Sequence, residues 1–318
     1  MMRTSIALLA ALGLGSAATA QDLSIATGGT GGTYYPYGGA LAELIGAHVD
    51  GASAVAEVTG ASVENMALIA QEQSDIAFVL ADTAYGAVNG TIDPFTDRAV
   101  DGQALASIYP NAVHIVTLAG SGIESLQDLV GKRVSVGAPG SGTEVNAEQL
   151  LSANGITYDD IDEQRLNFNE TADALRDGDI DAGIWSVGPP TSSILNLAAT
   201  TDIAFVPLTE EEVAAAQEVQ PVFAAYELRA GTYDGVDEGV ATIAIPNVLV
   251  VNAAMDEELA YQITSAIFEH TDELIAVHPA AEDTTVDFSV NSTPIPFHPG
   301  AIRYYDEVGA EVSDAQRP

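Results

Sequence analysis

Leu23-Ser-Ile-Ala-Thr27 alternates apolar and small polar residues and runs straight into Gly28-Gly-Thr-Gly-Gly-Thr-Tyr-Tyr-Pro-Tyr-Gly-Gly39. The first stretch has strand character and residues 37–47 suit a helix, so the chain opens as strand, glycine turn, helix. A second unit follows at once: a strand over 55–58, a turn at Thr59-Gly-Ala-Ser62, an amphipathic helix over 63–73 and a buried strand at Asp75-Ile-Ala-Phe-Val-Leu80. Strands alternating with helices through short turns make βαβ units and a mostly parallel sheet, so the fold class is α/β. The same grammar returns with a strand over 133–136 and a helix over 144–153, then a strand over 166–168, a helix over 170–176 and a strand over 180–187. Residues 62–79 and 169–185 resemble each other: each has a polar helix start, an Ala-Leu pair, an Asp-bearing turn and a buried strand. This weak repeat implies two lobes built alike. Residues 109–118 are the expected crossing between them and 240–251 the return, leading into a long helix over 256–277. Two lobes joined by two crossing strands enclose a cleft.

Composition sets the limits on function. With 47% hydrophobic and 17% charged residues, the chain is globular rather than disordered. Nine basic against 46 acidic residues give a net charge of −37. The only lysine is Lys132, so a basic face for nucleic acid is excluded. Without cysteine there is no disulfide framework, thiolate chemistry or lipid-attachment cysteine. Met1-Met-Arg-Thr-Ser5, an apolar run over 6–14 and Ser16-Ala-Ala-Thr-Ala20 have the form of a Sec-type export signal, with the mature chain starting at Gln21. A membrane anchor would need about 20 apolar residues with polar flanks, so no stable membrane insertion is expected.

The glycine-rich turns carry the chemistry. Glycines allow close backbone approach, and a helix start offers free N–H groups and the positive end of a dipole, which favours an anion. The first loop lacks the lysine of a nucleotide P-loop and the clean spacing of a dinucleotide fingerprint. A plain structural turn would explain its glycines but not its threonine and two tyrosines. The second loop, Gly137-Ala-Pro-Gly-Ser-Gly-Thr143, also follows a strand and opens a helix. Ser141 and Thr143 can cap that helix or hold a carboxylate. A third helix start, Ser62-Val-Glu-Asn65, offers Ser62 and Asn65 as caps or contacts.

Four blocks in order resemble the substrate-binding proteins of TRAP transporters, in the TAXI branch: Thr27-Gly-Gly-Thr-Gly-Gly-Thr-Tyr-Tyr-Pro36, Thr59-Gly-Ala-Ser-Val-Glu-Asn65, Gly131-Lys-Arg-Val-Ser-Val-Gly-Ala-Pro-Gly-Ser-Gly-Thr143 and Pro294-Ile-Pro-Phe-His-Pro-Gly-Ala-Ile-Arg-Tyr-Tyr305. The resemblance implies a two-lobe periplasmic binding protein of type II-like architecture. Such a receptor would close on glutamate, glutamine or a dicarboxylate such as 2-oxoglutarate and deliver it to TRAP membrane permease subunits. It places ligand contacts on Gly29, Thr30, Tyr34, Ser62, Asn65, Ser141, Gly142 and Thr143. Trp185-Ser-Val-Gly-Pro-Pro-Thr191 departs from the family, which has a more aromatic strand and a less proline-rich turn there. The expected organisation is a signal over 1–20, a first lobe over 21–111 and 247–318, and a second lobe over 112–246.

Two aromatic residues join the candidates by layout. Trp185, the only tryptophan, ends a buried strand and is either core or an aromatic wall for the ligand. Tyr85 follows the strand 76–80, where strand ends point into a cleft. Catalysis is not expected. His48, His114, His270, His278 and His298 show no metal-ligand spacing, and no serine sits in a Gly-x-Ser-x-Gly elbow, so neither a metal nor another cofactor is expected. Asp177-Gly-Asp-Ile-Asp-Ala-Gly183 imitates a calcium loop but has Ala182 at its sixth position and Gly188 at its twelfth, and reads as a turn. Glu210-Glu-Glu212 forms a capping box with Thr209. The alternative from another class is an exported hydrolase or sugar-acid enzyme using cleft carboxylates.

Overall fold

The computed structural model describes residues 21–318, and the expected export signal lies outside them. The elements run β1 (Gln21–Ala26), α1 (Tyr34–His48), β2 (Ala52–Glu57), α2 (Ser62–Ala70), β3 (Ile76–Leu80), α3 (Ala81–Asn89), β4 (Gly102–Leu118), β5 (Arg133–Ser135) and α4 (Gly142–Ala153). Then come β6 (Asp162–Gln164), α5 (Phe168–Asp177), β7 (Ala182–Val187), α6 (Ser192–Ala198), β8 (Ile203–Phe205), α7 (Glu210–Val219), β9 (Ala224–Leu228) and β10 (Val240–Asn252). Four helices close the chain: α8 (Glu257–Glu269), α9 (Thr271–Val277), α10 (Val286–Ser292) and α11 (Pro299–Glu307). Among the described residues no helix is long and apolar enough to cross a membrane.

The sheet order β2-β1-β3-β10-β4-β7-β5-β6 is nearly a palindrome. In one half β1 pairs in parallel with β2 and β3; in the other β5 pairs in parallel with β6 and β7. Between them run the two long strands β4 and β10, antiparallel to each other and to their outer neighbours. This is the two-lobe α/β architecture expected from the recurring units. β3, Ile-Ala-Phe-Val-Leu, is buried along its whole length, as a strand covered on both faces must be. The ladder between β4 and β10 shifts register between Pro246 and Val248, and there Pro246 stands opposite Pro110. Neither proline can donate a ladder hydrogen bond.

Two expected elements differ. The strand expected over 166–168 lies at β6, because Asn167 caps α5: its Oδ1 accepts from the N–H of Asn169 and Glu170, while Glu170 returns to the N–H of Asn167. Phe168 is therefore already helical. The long helix over 256–277 breaks at His270, which has φ −124° and ψ 31°. Thr271 Oγ1 there donates to the carbonyls of Ile267 and Phe268, competing for acceptors the helix would use. His298 caps α11, its Nδ1 accepting from Gly300 N–H, and the Thr209–Glu212 capping box forms as expected.

Candidate functional site

A chamber between the halves holds about 270 Å³ and is walled by the starts of four helices. Thr33 and Tyr34 bring α1, Ala61 and Ser62 α2, Ser141 to Thr143 α4, and Asn167 with Phe168 α5. The four starts are not equally free. In α5 the amides of Asn169 and Glu170 are taken by Asn167, and in α2 those of Val63 and Glu64 donate to Gly140 O. At α4, Ser141 Oγ accepts from Glu144 N–H, leaving Gly142 and Thr143 amides as donors. At α1 no side chain caps the first turn. One open helix start therefore comes from each half. Among the described residues no charged side chain lines the chamber, so the groups there that favour an anion are the helix starts and their free amides.

The halves touch around this chamber. Thr33 Oγ1 donates to Gly188 O at 2.6 Å and Thr191 Oγ1 to Gly31 O at 3.0 Å. Asn146 Nδ2, on α4, donates to Asp82 Oδ2, on α3, at 2.7 Å. Gly142 lies so close to the first half that an added Cβ would meet Leu80 Cδ1 and Ser62 Oγ, each at 2.6 Å. The two halves are thus in direct contact around the chamber. Asp82 is 2% exposed and burial pushes its carboxyl up to about 7, against backbone amides of Asp82 and Thr83 and the amide of Asn146, which lower it. Its second oxygen has no partner.

Gly29, Tyr34, Ser62, Ser141, Gly142 and Thr143 all line the chamber, together with Leu80, Asn111, Asn167, Phe168, Ser186 and Val187 from elsewhere in the sequence. Four other candidates do not. Asn65 is fully buried and donates to the carbonyls of Ala26, Thr27 and Phe78, while its Oδ1 accepts from Thr59 Oγ1; it ties α2 to the sheet. Thr30 accepts from Asn169 Nδ2 at the rim. Tyr85 points to solvent at 46% exposure. Trp185 is sealed in the core, its Nε1 donating to Ser193 Oγ and its ring stacked on Phe168, which does line the chamber. Tyr34 offers its ring rather than its hydroxyl, which donates to Asn247 Oδ1. Burial raises that hydroxyl's pKa, so it stays a neutral donor. Lys132 and Arg133 are absent from the lining; Arg133 grips Asp181 through two nitrogens.

Sequence reading missed Asn111, Ser186 and Phe168. Asn111 sits on β4 and donates to Ser186 O, and Ser186 Oγ, on β7, is buried without a partner. A hydroxyl inside a strand at a chamber wall has no local motif; only the pairing of β4 with β7 brings it there.

The fold is the two-lobe α/β architecture of periplasmic binding proteins, with the chamber between its halves. The chain belongs to the NMT1-like family, which matches residues 25–309. Among solved structures it is similar to a protein of Bordetella bronchiseptica RB50, at 16% identity and a TM-score of 0.55 over 94% of this chain and 91% of that one. It is also similar to a binding protein component of an ABC phosphonate transporter from Pseudomonas aeruginosa, at 12% identity and a TM-score of 0.50 over 83% of this chain and 80% of that one.

Proposed function

We propose that the protein is an exported solute receptor that closes on a small carboxylate-bearing molecule (glutamate, glutamine or a dicarboxylate such as 2-oxoglutarate) and delivers it to a TRAP-type membrane permease. The observation that carries this reading is the pair of open helix starts, α1 and α4, facing one chamber from opposite halves with no cationic side chain beside them. A carboxylate held by amides and hydroxyls gains the dipole of each helix without the cost of desolvating a lysine or arginine. The proposed contacts are Gly29, the Tyr34 ring, Ser62, Ser141, Gly142 and Thr143, with Asn111, Ser186 and Phe168 added from the chamber walls. The proposed lobes are 21–111 with 247–318, and 112–246, the chain changing lobes within β4 and β10. Receptor action follows from closure: contacts from both lobes exist together only when the lobes meet, so ligand draws the population to the closed state. Catalysis is not part of the reading, since no carboxylate lines the chamber to act as acid or base.

A thermal-shift screen of amino acids and small dicarboxylates tests it. A ligand at a hundredfold excess over its Kd stabilises the fold by about 2.7 kcal/mol, and mass spectrometry should recover that ligand unchanged. A screen in which only cations or neutral sugars stabilise the protein would overturn the proposal, as would recovery of a chemically altered ligand.

A further inference from the structure

His48 lies more than 200 residues before His270 and Glu273, and the three meet at the surface where α1 ends and α8 gives way to α9. His48 Nε2 lies 2.8 Å from Glu273 Oε1, and His270 Nδ1 lies 3.8 Å from the same oxygen. The two imidazole rings stack with centroids 3.5 Å apart and planes inclined by 11°. One ligand atom from each residue falls within 4.8 Å of the others. We propose that these three side chains form a site for a divalent transition ion of the zinc class.

Three observations converge on this assignment. Bonds of about 2.0–2.1 Å in tetrahedral coordination put ligand atoms about 3.3 Å apart, and the two separations from Glu273 Oε1 bracket that value. Two imidazoles and one carboxylate are a donor set that zinc takes with a water in the fourth place, whereas magnesium and calcium prefer oxygen alone. The negative ends of α1 and α8 reach the site, His48 being the last residue of α1 and His270 the C-cap of α8, and there they face the single positive end of the seven-residue α9, whose first turn carries Glu273. A hydrogen bond between His48 and Glu273 accounts for that pair but not for the second imidazole laid against the first. With side-chain exposures of 26% and 35%, both rings have room to turn so that their nitrogens aim at one ion. α1 has 15 residues, so its histidine end lies about 21 Å from its chamber end. The ion therefore staples α1 to the α8–α9 junction and takes no part in holding solute.

The test is calorimetric titration of chelator-stripped protein with zinc chloride, in excess magnesium to saturate the acidic surface, supported by the visible absorption of cobalt(II). One zinc per chain is expected. His270→Ala and Glu273→Gln should each weaken binding about tenfold or more, while Thr143→Ala leaves it unchanged. Absence of a saturable site under magnesium overturns the proposal. So does a His270→Ala protein that binds zinc as tightly as the parent.

Discussion

Asp82 shows what burying one carboxyl at a lobe seam does to the pH response. In the unfolded chain an aspartate titrates near pH 3.9, whereas burial pushes Asp82 up to about 7. Between those values the native state holds the extra proton, so this contribution to stability is full below about pH 4, shrinks as pH rises and levels off above about 7. Asp82→Asn mimics the protonated acid and keeps an oxygen for Asn146 Nδ2. It should raise the melting temperature at pH 8 by roughly a few degrees and far less at pH 4.5. Equal gains at the two pH values would show that Asp82 does not titrate across this interval. Gly142 decides how near the lobes come, because a methyl group there would strike Ser62 and Leu80. Overpacking of that kind costs about 1–3 kcal/mol, so Gly142→Ala should weaken solute binding by about tenfold or more in calorimetry; an unchanged Kd would refute this role. Both glycine loops were legible as cleft loops, and both line the chamber, because glycine and hydroxyl residues cluster where a strand becomes a helix. Asn65 misled for a physical reason: a polar residue near a helix start serves the sheet's carbonyls as well as a ligand, and composition does not separate the two.

At the scale of elements, β4 and β10 carry the mechanical burden. Pro110 and Pro246 face each other where the ladder shifts, so the crossing loses rungs at the middle of the sheet. Asn247, beside this gap, supplies substitutes: its Nδ2 donates to Tyr109 O and Asn111 Oδ1, and its Oδ1 accepts from Tyr34. One side chain thus connects the glycine loop, the crossing strand and a chamber wall. Asn247→Ala leaves these fully buried groups unpaired and should cost about 1–3 kcal/mol in denaturant unfolding. A loss indistinguishable from zero would mean that other groups take over its bonds. The crossing strands were readable as long apolar runs, and the recurring strand–helix units foretold the near-palindromic sheet. β6 was not readable, since Asp-Glu-Gln at a sheet edge has no apolar alternation. The break at His270 was hidden because amphipathic periodicity continues through it while the local hydrogen bonds do not.

For the molecule as a whole, the dominant quantity is charge: 46 acidic against nine basic residues. The arginines that pair do so at the surface, as Arg176 does with Asp173 and Asp177, and exposed pairs contribute little. Self-repulsion therefore outweighs attraction, and salt should relieve it as the screening length falls from about 10 Å at 0.1 M to about 3 Å at 1 M. The melting temperature should rise between about 0.1 M and 1 M sodium chloride; a flat or falling curve would show that the excess acidic residues are too far apart to repel. This property was fully legible from composition, as was the two-lobe class from its repeating units, while the closed seam emerges only when distant loops are folded together. The chain's sole indole belongs to Trp185, sealed from water, stacked on Phe168 of the chamber wall and bonded to Ser193, whose own amide reaches across the seam to Gly31. Every tryptophan photon thus originates one layer behind the chamber and one hydrogen bond from the seam between the halves. If the receptor acts by closure as proposed, intrinsic fluorescence becomes a label-free optical gauge of that motion, built into the protein at a single known position.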